Sequence, residues 1–195
     1  MIDYITMHWI SIVGTVLGLL YLYLEYKANI WMWLVGIGMA AFFVVIYYNT
    51  QLYASMVIYV YFLLGSIYGL IKWQRSRKNE NTDQDIILRA PRKVLIPTIT
   101  AIVVVGGIIY MLLITLSNNQ GGVTIGDSVT TSLNVVALWL ASRRWAEQWL
   151  LLIPANGLSA ILLFIQQDEI SAAMFAVYFV VSIFGYFNWK RLAKA

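Results

Sequence analysis

Seven apolar runs, at roughly 8–25, 30–48, 52–72, 94–116, 128–142, 148–166 and 170–189, take up most of the chain and leave only short connections. Each comes near the roughly 20 residues that a helix needs to cross the hydrocarbon core of a bilayer. Charged residues make up only 11% of the 195, while 61% are hydrophobic; an ordinary soluble domain has about 25% charged. A soluble fold of this length could not bury so much apolar surface without exposing large patches. In a bilayer the outer surface is itself apolar, so the runs predict an all-α membrane protein of seven transmembrane helices. The polar stretches 74–93 and 117–127 are too short to hide a soluble domain.

Charge assigns the sides. Lys72, Arg75, Arg77, Lys78, Arg89, Arg92 and Lys93 lie between the third and fourth runs, Arg143 and Arg144 follow the fifth, and Lys190, Arg191 and Lys194 follow the seventh. Lys27 follows the first, and the opposite ends of the runs carry no Lys or Arg. The positive-inside rule therefore predicts an outside N-terminus and a cytoplasmic C-terminus. It also accounts for the net charge of +4 without nucleic acid. Residues 1–7 have no basic n-region, so the first run is read as a span and not as a cleaved signal peptide.

A shift of 116 residues lays the first three runs on the last three, Trp33 falling on Trp149, Gln51 on Gln167, Ser66 on Ser182, Gly69 on Gly185 and Trp73 on Trp189. The strings SIYGLIKW and SIFGYFNW end both copies. Three spans are an odd number, so one span must intervene for both copies to run the same way. The expected architecture is two parallel three-helix repeats joined by a linker helix (3+1+3), a plan used by transporters. Its parts are a first repeat at 1–73, a cytoplasmic basic loop at 74–93, the linker helix at 94–116, an external loop at 117–127 and a second repeat with a basic tail at 128–195.

The chain has no cysteine, a single histidine (His8) and no P-loop, so it predicts no disulfide, no metal site, no ATP site and no cofactor. No Asp, Glu, Lys or Arg falls at the middle of a run, where ion-coupled pumps usually place them. Facilitated diffusion of a solute is the economical reading. An integral-membrane enzyme lacks a catalytic constellation here, and a non-transporting scaffold is the remaining alternative.

Polar side chains at mid-depth are few. Asn134 and Asn156 lie near the centres of the fifth and sixth runs, with Tyr178 and Ser182 near the centre of the seventh; the first copy has Gly18, Ala40, Phe62 and Ser66 there. Asparagine offers donors and an acceptor to a neutral or cationic solute, or it joins two helices for about 1 kcal/mol or less. Pro154 lies inside the sixth run and frees the Leu150 carbonyl. Trp9, Trp31, Trp33, Trp73, Trp145, Trp149 and Trp189 lie near run ends, and most are assigned to an interfacial belt. Trp139, inside the fifth run, either stacks on a flat ring or faces lipid.

TQLYASMVIYVYFLLGSIYGLIKW in the first copy, with SRRWAEQWLLLIPANGLSAILLF and FGYFNWKR in the second, resembles the PnuC/PnuT family of vitamin transporters over nearly the whole chain. The resemblance implies a SWEET-like fold in the bacterial inner membrane and uniport of a water-soluble vitamin. The solute, nicotinamide riboside or thiamine, is then trapped by a cytoplasmic kinase. Homotrimers are implied as well. The riboside branch carries a W-x-x-W-x-x-x-N pattern that falls on Trp149, Leu152 and Asn156, so its second tryptophan is missing here. That departure makes thiamine the expected solute. The expected binding residues are Asn134, Trp139, Glu147, Trp149, Asn156, Tyr178 and Ser182. Glu147 either attracts the cation or marks the end of the sixth helix, and Trp149 lines either the central site or the cytoplasmic exit.

Overall fold

The computed structural model describes residues 2–80, 87–117 and 122–193. They form seven helices: α1 (Ile2–Tyr26), α2 (Trp31–Asn49), α3 (Tyr53–Glu80), α4 (Leu95–Ser117), α5 (Gly122–Ser142), α6 (Gln148–Ile165) and α7 (Glu169–Leu192). A 3-10 turn at Arg92–Val94 leads into α4. Five stretches are long and apolar enough to cross a membrane: Trp31–Asn49, Tyr53–Asn79, Arg92–Thr115, Gln148–Ile165 and Glu169–Leu192.

α5 misses that standard because it is rich in Ser and Thr, and its packing explains why this is tolerated. It lies against α3, α4 and α6, and Ser128, Thr130 and Ser132 are buried. Their hydroxyls donate to the carbonyls of Ile125 (2.8 Å), Asp127 (3.1 Å) and Val129 (2.8 Å) within the same helix. A helix enclosed by protein can carry polar side chains whose hydrogen bonds are met internally.

Two boundaries differ from expectation. α3 runs on to Glu80 through QRSRKNE, because Gln, Arg, Lys and Glu are good helix formers once the chain has left the apolar run. α5 already begins at Gly122, so the expected loop at 117–127 is shorter; residues 118–121 lie outside the described residues. α6 continues through Pro154.

Neighbour order follows from the short turns. α2 lies between α1 and α3, and α6 between α5 and α7; α1 meets α7, and α3 meets α5. Six helices thus form a closed ring, with α4 outside it, packed along α5 and touching α3. Each hairpin turn uses a residue in the left-handed region: Ala28 (φ 51°), Gln51 (59°), Arg144 (63°) and Gln167 (62°). In all four the helix is closed by the same pair of backbone bonds. Ala28 and Asn29 donate to the Glu25 and Leu24 carbonyls, and Arg144 and Trp145 to those of Ala141 and Leu140. Gln51 and Leu52 donate to Tyr48 and Tyr47, and Gln167 and Asp168 to Phe164 and Leu163. This is the Schellman arrangement, formed here without glycine.

The end of the ring that carries the basic residues is also tied across the chain. Leu88 makes a parallel bridge with Trp145, its N–H donating to the Arg144 carbonyl (2.8 Å) and its carbonyl accepting from Ala146 (3.0 Å). The Ala90 N–H donates to Glu147 Oε2 at 2.7 Å, and Ile87 is fully buried against the tryptophan core. Glu147→Ala is expected to weaken this attachment by about 1–2 kcal/mol, the scale of one charge-assisted bond at a half-buried site. Hydrogen exchange of the Leu88 and Ala90 amides should quicken, with little change in Glu147→Gln.

Candidate functional site

At the basic end, four indoles close the interior of the ring. Trp33 of α2, Trp73 of α3, Trp149 of α6 and Trp189 of α7 are each 0% exposed. Trp33 meets Trp73 edge-on at 5.7 Å, Trp149 meets Trp189 edge-on at 5.9 Å, and Trp73 and Trp189 touch across the middle at 6.2 Å. Trp73 Nε1 donates to the Ala141 carbonyl (3.1 Å) and Trp189 Nε1 to the Glu25 carbonyl (2.8 Å). Each outer indole lies flat on a glycine: Trp33 on Gly69, and Trp149 on Gly185. These four tryptophans are therefore core and not interfacial belt. Their depth near the helix ends is as expected, but the facing glycines draw the rings inward. Trp31, 60% exposed, is placed as a belt residue would be; the side chain of Trp9 lies outside the described residues.

Above the indoles, further from the basic end, lies a polar layer. Asn156 of α6, nearly buried, donates through Nδ2 to Ser182 Oγ (2.9 Å), which donates to the Tyr178 carbonyl one turn away on α7 (2.7 Å). Two of the expected site residues are thus joined through their side chains, and a third, Tyr178, takes part through its backbone carbonyl. The Tyr178 side chain reaches neighbouring α1, where its hydroxyl rests on the backbone at Gly18. Only a residue without a Cβ permits that approach. On the far side Phe43, Tyr47 and Tyr59 of α2 and α3 cluster with centroids 5.0–5.9 Å apart, and Tyr59 lies near Tyr178.

The other expected residues are placed elsewhere. Asn134 donates to the Thr130 carbonyl of its own helix (2.8 Å). Trp139 is 36% exposed and packs against Trp145 (5.7 Å), with the Arg143 guanidinium 4.7 Å above its ring. Glu147 is engaged by Ala90, as described. Trp149 belongs to the indole layer, with its Nε1 buried and without a hydrogen-bond partner.

Two polar residues were not singled out from the sequence. Glu25, in the last turn of α1, is only 4% exposed. It lies within hydrogen-bonding reach of Gln148 of α6, which is 0% exposed and whose amide atoms otherwise have no partner of good geometry. In the sequence Glu25 stands at the end of the first run, where an acid ordinarily meets water. The signal that could have found it is that α1 has no other acid between Asp3 and Lys27 and that its position in the second copy is Ala141.

A closed ring of apolar helices, with a polar and aromatic interior and indoles closing one end, is the build of a polytopic membrane protein. The chain belongs to the nicotinamide mononucleotide transporter family, whose model matches residues 8–191. It is a multi-pass protein of the bacterial inner membrane. The nicotinamide riboside transporter PnuC of Haemophilus influenzae is 28% identical over 189 residues, covering 95% of this chain and 81% of the relative. The Escherichia coli protein of the same name is 23% identical over 207 residues, covering 95% and 87%. The crystal structure of a vitamin B3 transporter PnuC superposes with a TM-score of 0.72 at 22% identity, covering 95% of this chain and 82% of that one. That likeness carries the fold.

Proposed function

We propose that this protein is a uniporter for nicotinamide riboside, taking the solute down its gradient into a cytoplasm where a kinase traps it. The observation that carries the reading is the hydrogen-bonded chain Asn156–Ser182–Tyr178, facing aromatic rings inside a membrane-spanning ring of helices and closed off by tryptophans. The names of the relatives turn the substrate from thiamine to nicotinamide riboside. Leu152 was a poor guide, because in the structure it packs on the tryptophan core. A residue in that role reports on packing more than on the solute.

In this reading α1–α3 and α5–α7 are two parallel repeats, α4 is the linker, the N-terminus is outside and the basic end is cytoplasmic. Residues 1–73 and 128–195 remain the two repeats, 74–93 and 117–127 the loops between them and the linker. Support comes from pairs of positions 116 apart: Ala28 with Arg144 and Gln51 with Gln167 in φ, and Trp73 with Trp189 in indole bonding. The indole layer then closes the cytoplasmic exit, and Trp149 belongs to that exit. Asn156, Tyr178 and Ser182 form the central site, and Asn134, Trp139 and Glu147 support it from outside. A homotrimer, implied by the family resemblance, belongs to the same proposal.

Proteoliposomes carrying the purified protein should take up labelled nicotinamide riboside saturably, with excess thiamine competing poorly. Asn156→Ala should lower that uptake roughly tenfold or more, since it leaves a solute hydrogen bond unmade in a buried site. Saturable thiamine uptake with no response to the riboside would restore the first expectation. Flux of neither would leave a membrane scaffold.

A further inference from the structure

We propose that Glu25 and Gln148 form the charge-selecting end of the solute path, holding a cationic ring that bears a carboxamide. The inference rests on the transport reading above and deepens it.

Glu25 is buried in the last turn of α1, with Tyr21 a turn above it, Gln148 of α6 beside it and Tyr178 of α7 nearby. The polar groups that act on it are an amide and two phenols. Lys27, two residues on, points its ammonium over the Tyr23 ring at 6.0 Å, and Tyr23 is well exposed. A carboxylate taken out of water without a partner cation is unfavourable, and an entering cation relieves that penalty.

Gln148 provides an independent sign of a ligand. It is 0% exposed, and apart from the Glu25 carboxyl within its reach neither amide atom has a hydrogen-bond partner of good geometry. Buried amides are nearly always well paired, so one left with open positions beside a buried acid marks a place where something else supplies the partners. A primary carboxamide is self-complementary to a glutamine amide, since each has donors and an acceptor. A pyridinium nucleoside joins that carboxamide to a fixed positive charge on one ring. Glu25 takes the charge and Gln148 the carboxamide. At 1.5 Å per residue Gln148 lies about 12 Å along α6 from Asn156, leaving Asn156 and Ser182 to the sugar hydroxyls. The position matching Glu25 in α5 is Ala141, so selection for charge is built on one side of the ring only.

The test compares two competitors of labelled nicotinamide riboside uptake: unlabelled nicotinamide riboside and its uncharged dihydro form, which has the same sugar and carboxamide. In wild-type proteoliposomes the cation should compete at least tenfold better. Glu25→Gln should bring the two within about threefold of each other, chiefly by weakening the cation, and Glu25→Asp should keep part of the preference. Equal competition by both forms in the wild type overturns the inference without any variant, while leaving uptake itself standing. A preference undiminished in Glu25→Gln also overturns it. No uptake at all in the wild type overturns the transport reading, and the inference with it.

Discussion

Trp189→Ala is expected to lower stability by about 3–5 kcal/mol, the usual range for emptying a buried aromatic site. The side chain is 0% exposed and touches Trp149 at 5.9 Å and Trp73 at 6.2 Å, so its loss opens the layer on both sides. It also removes the indole donor to the Glu25 carbonyl (2.8 Å). Trp189→Phe separates the two effects: most of the ring is kept and one hydrogen bond is lost, so about 1–2 kcal/mol should go. Trp73→Ala should behave alike, because its bond to the Ala141 carbonyl (3.1 Å) stands in the corresponding place. The two rings are in contact, so the double variant should depart from the sum of the singles. Denaturation in mixed micelles, followed by tryptophan fluorescence, measures this; a loss below about 1 kcal/mol for Trp189→Ala would show that the layer is loosely packed.

The second large effect has an unusual sign. Alanine in place of glycine inside a helix normally stabilises by about 1 kcal/mol. At Gly69 and Gly185 the expected result is a loss of about 1–3 kcal/mol, the range for overpacking. A Cβ at Gly185 would stand 2.7 Å from the Trp149 ring, and one at Gly69 would meet Trp33 more closely still. Those rings are fully buried and have nowhere to move without displacing Trp189 or Trp73. Combining Gly185→Ala with Trp149→Leu should recover part of the loss, because the shorter side chain leaves room for the methyl. Thermal unfolding of the singles and the pair in detergent checks both the sign and the recovery.

The helices were legible because the bilayer demands the same thing of every span, and that demand is written as length and apolarity. It was least legible in α5, where the surroundings are protein and the polar hydroxyls are returned to the backbone. Depth was legible too, but direction around the helix was not. Trp31 and Trp33 differ by two positions and stand at one depth, yet one is 60% exposed and the other 0%. Gly69 and Gly185, coinciding in the 116-residue shift, were the available sign that the tryptophans opposite them face inward. Of the site, Asn156, Ser182 and Tyr178 come together because they are polar groups a turn or two apart on adjacent helices. Asn134 stands at a similar depth and spends its amide on its own helix. Trp139 faces outward with Arg143 above it. Nothing in spacing alone separates those outcomes. Glu25 was missed for the opposite reason: a position near the end of a helix suggested water, and the ring of neighbours excludes it.

The attachment of 87–90 to the turn between α5 and α6 bears on how the molecule divides mechanically. α4 is pinned at its entrance by Leu88 and Ala90 and packs along α5, while its contact with α3 is slight. It is therefore ballast for one side only. Any relative swing of the two helix triplets moves four helices against three, and the heavier side is the one that carries Asn156, Ser182 and Tyr178. If the proposed uniporter works by such a swing, the contacts to be released are those of α1 with α7, of α3 with α5 and of α3 with α4.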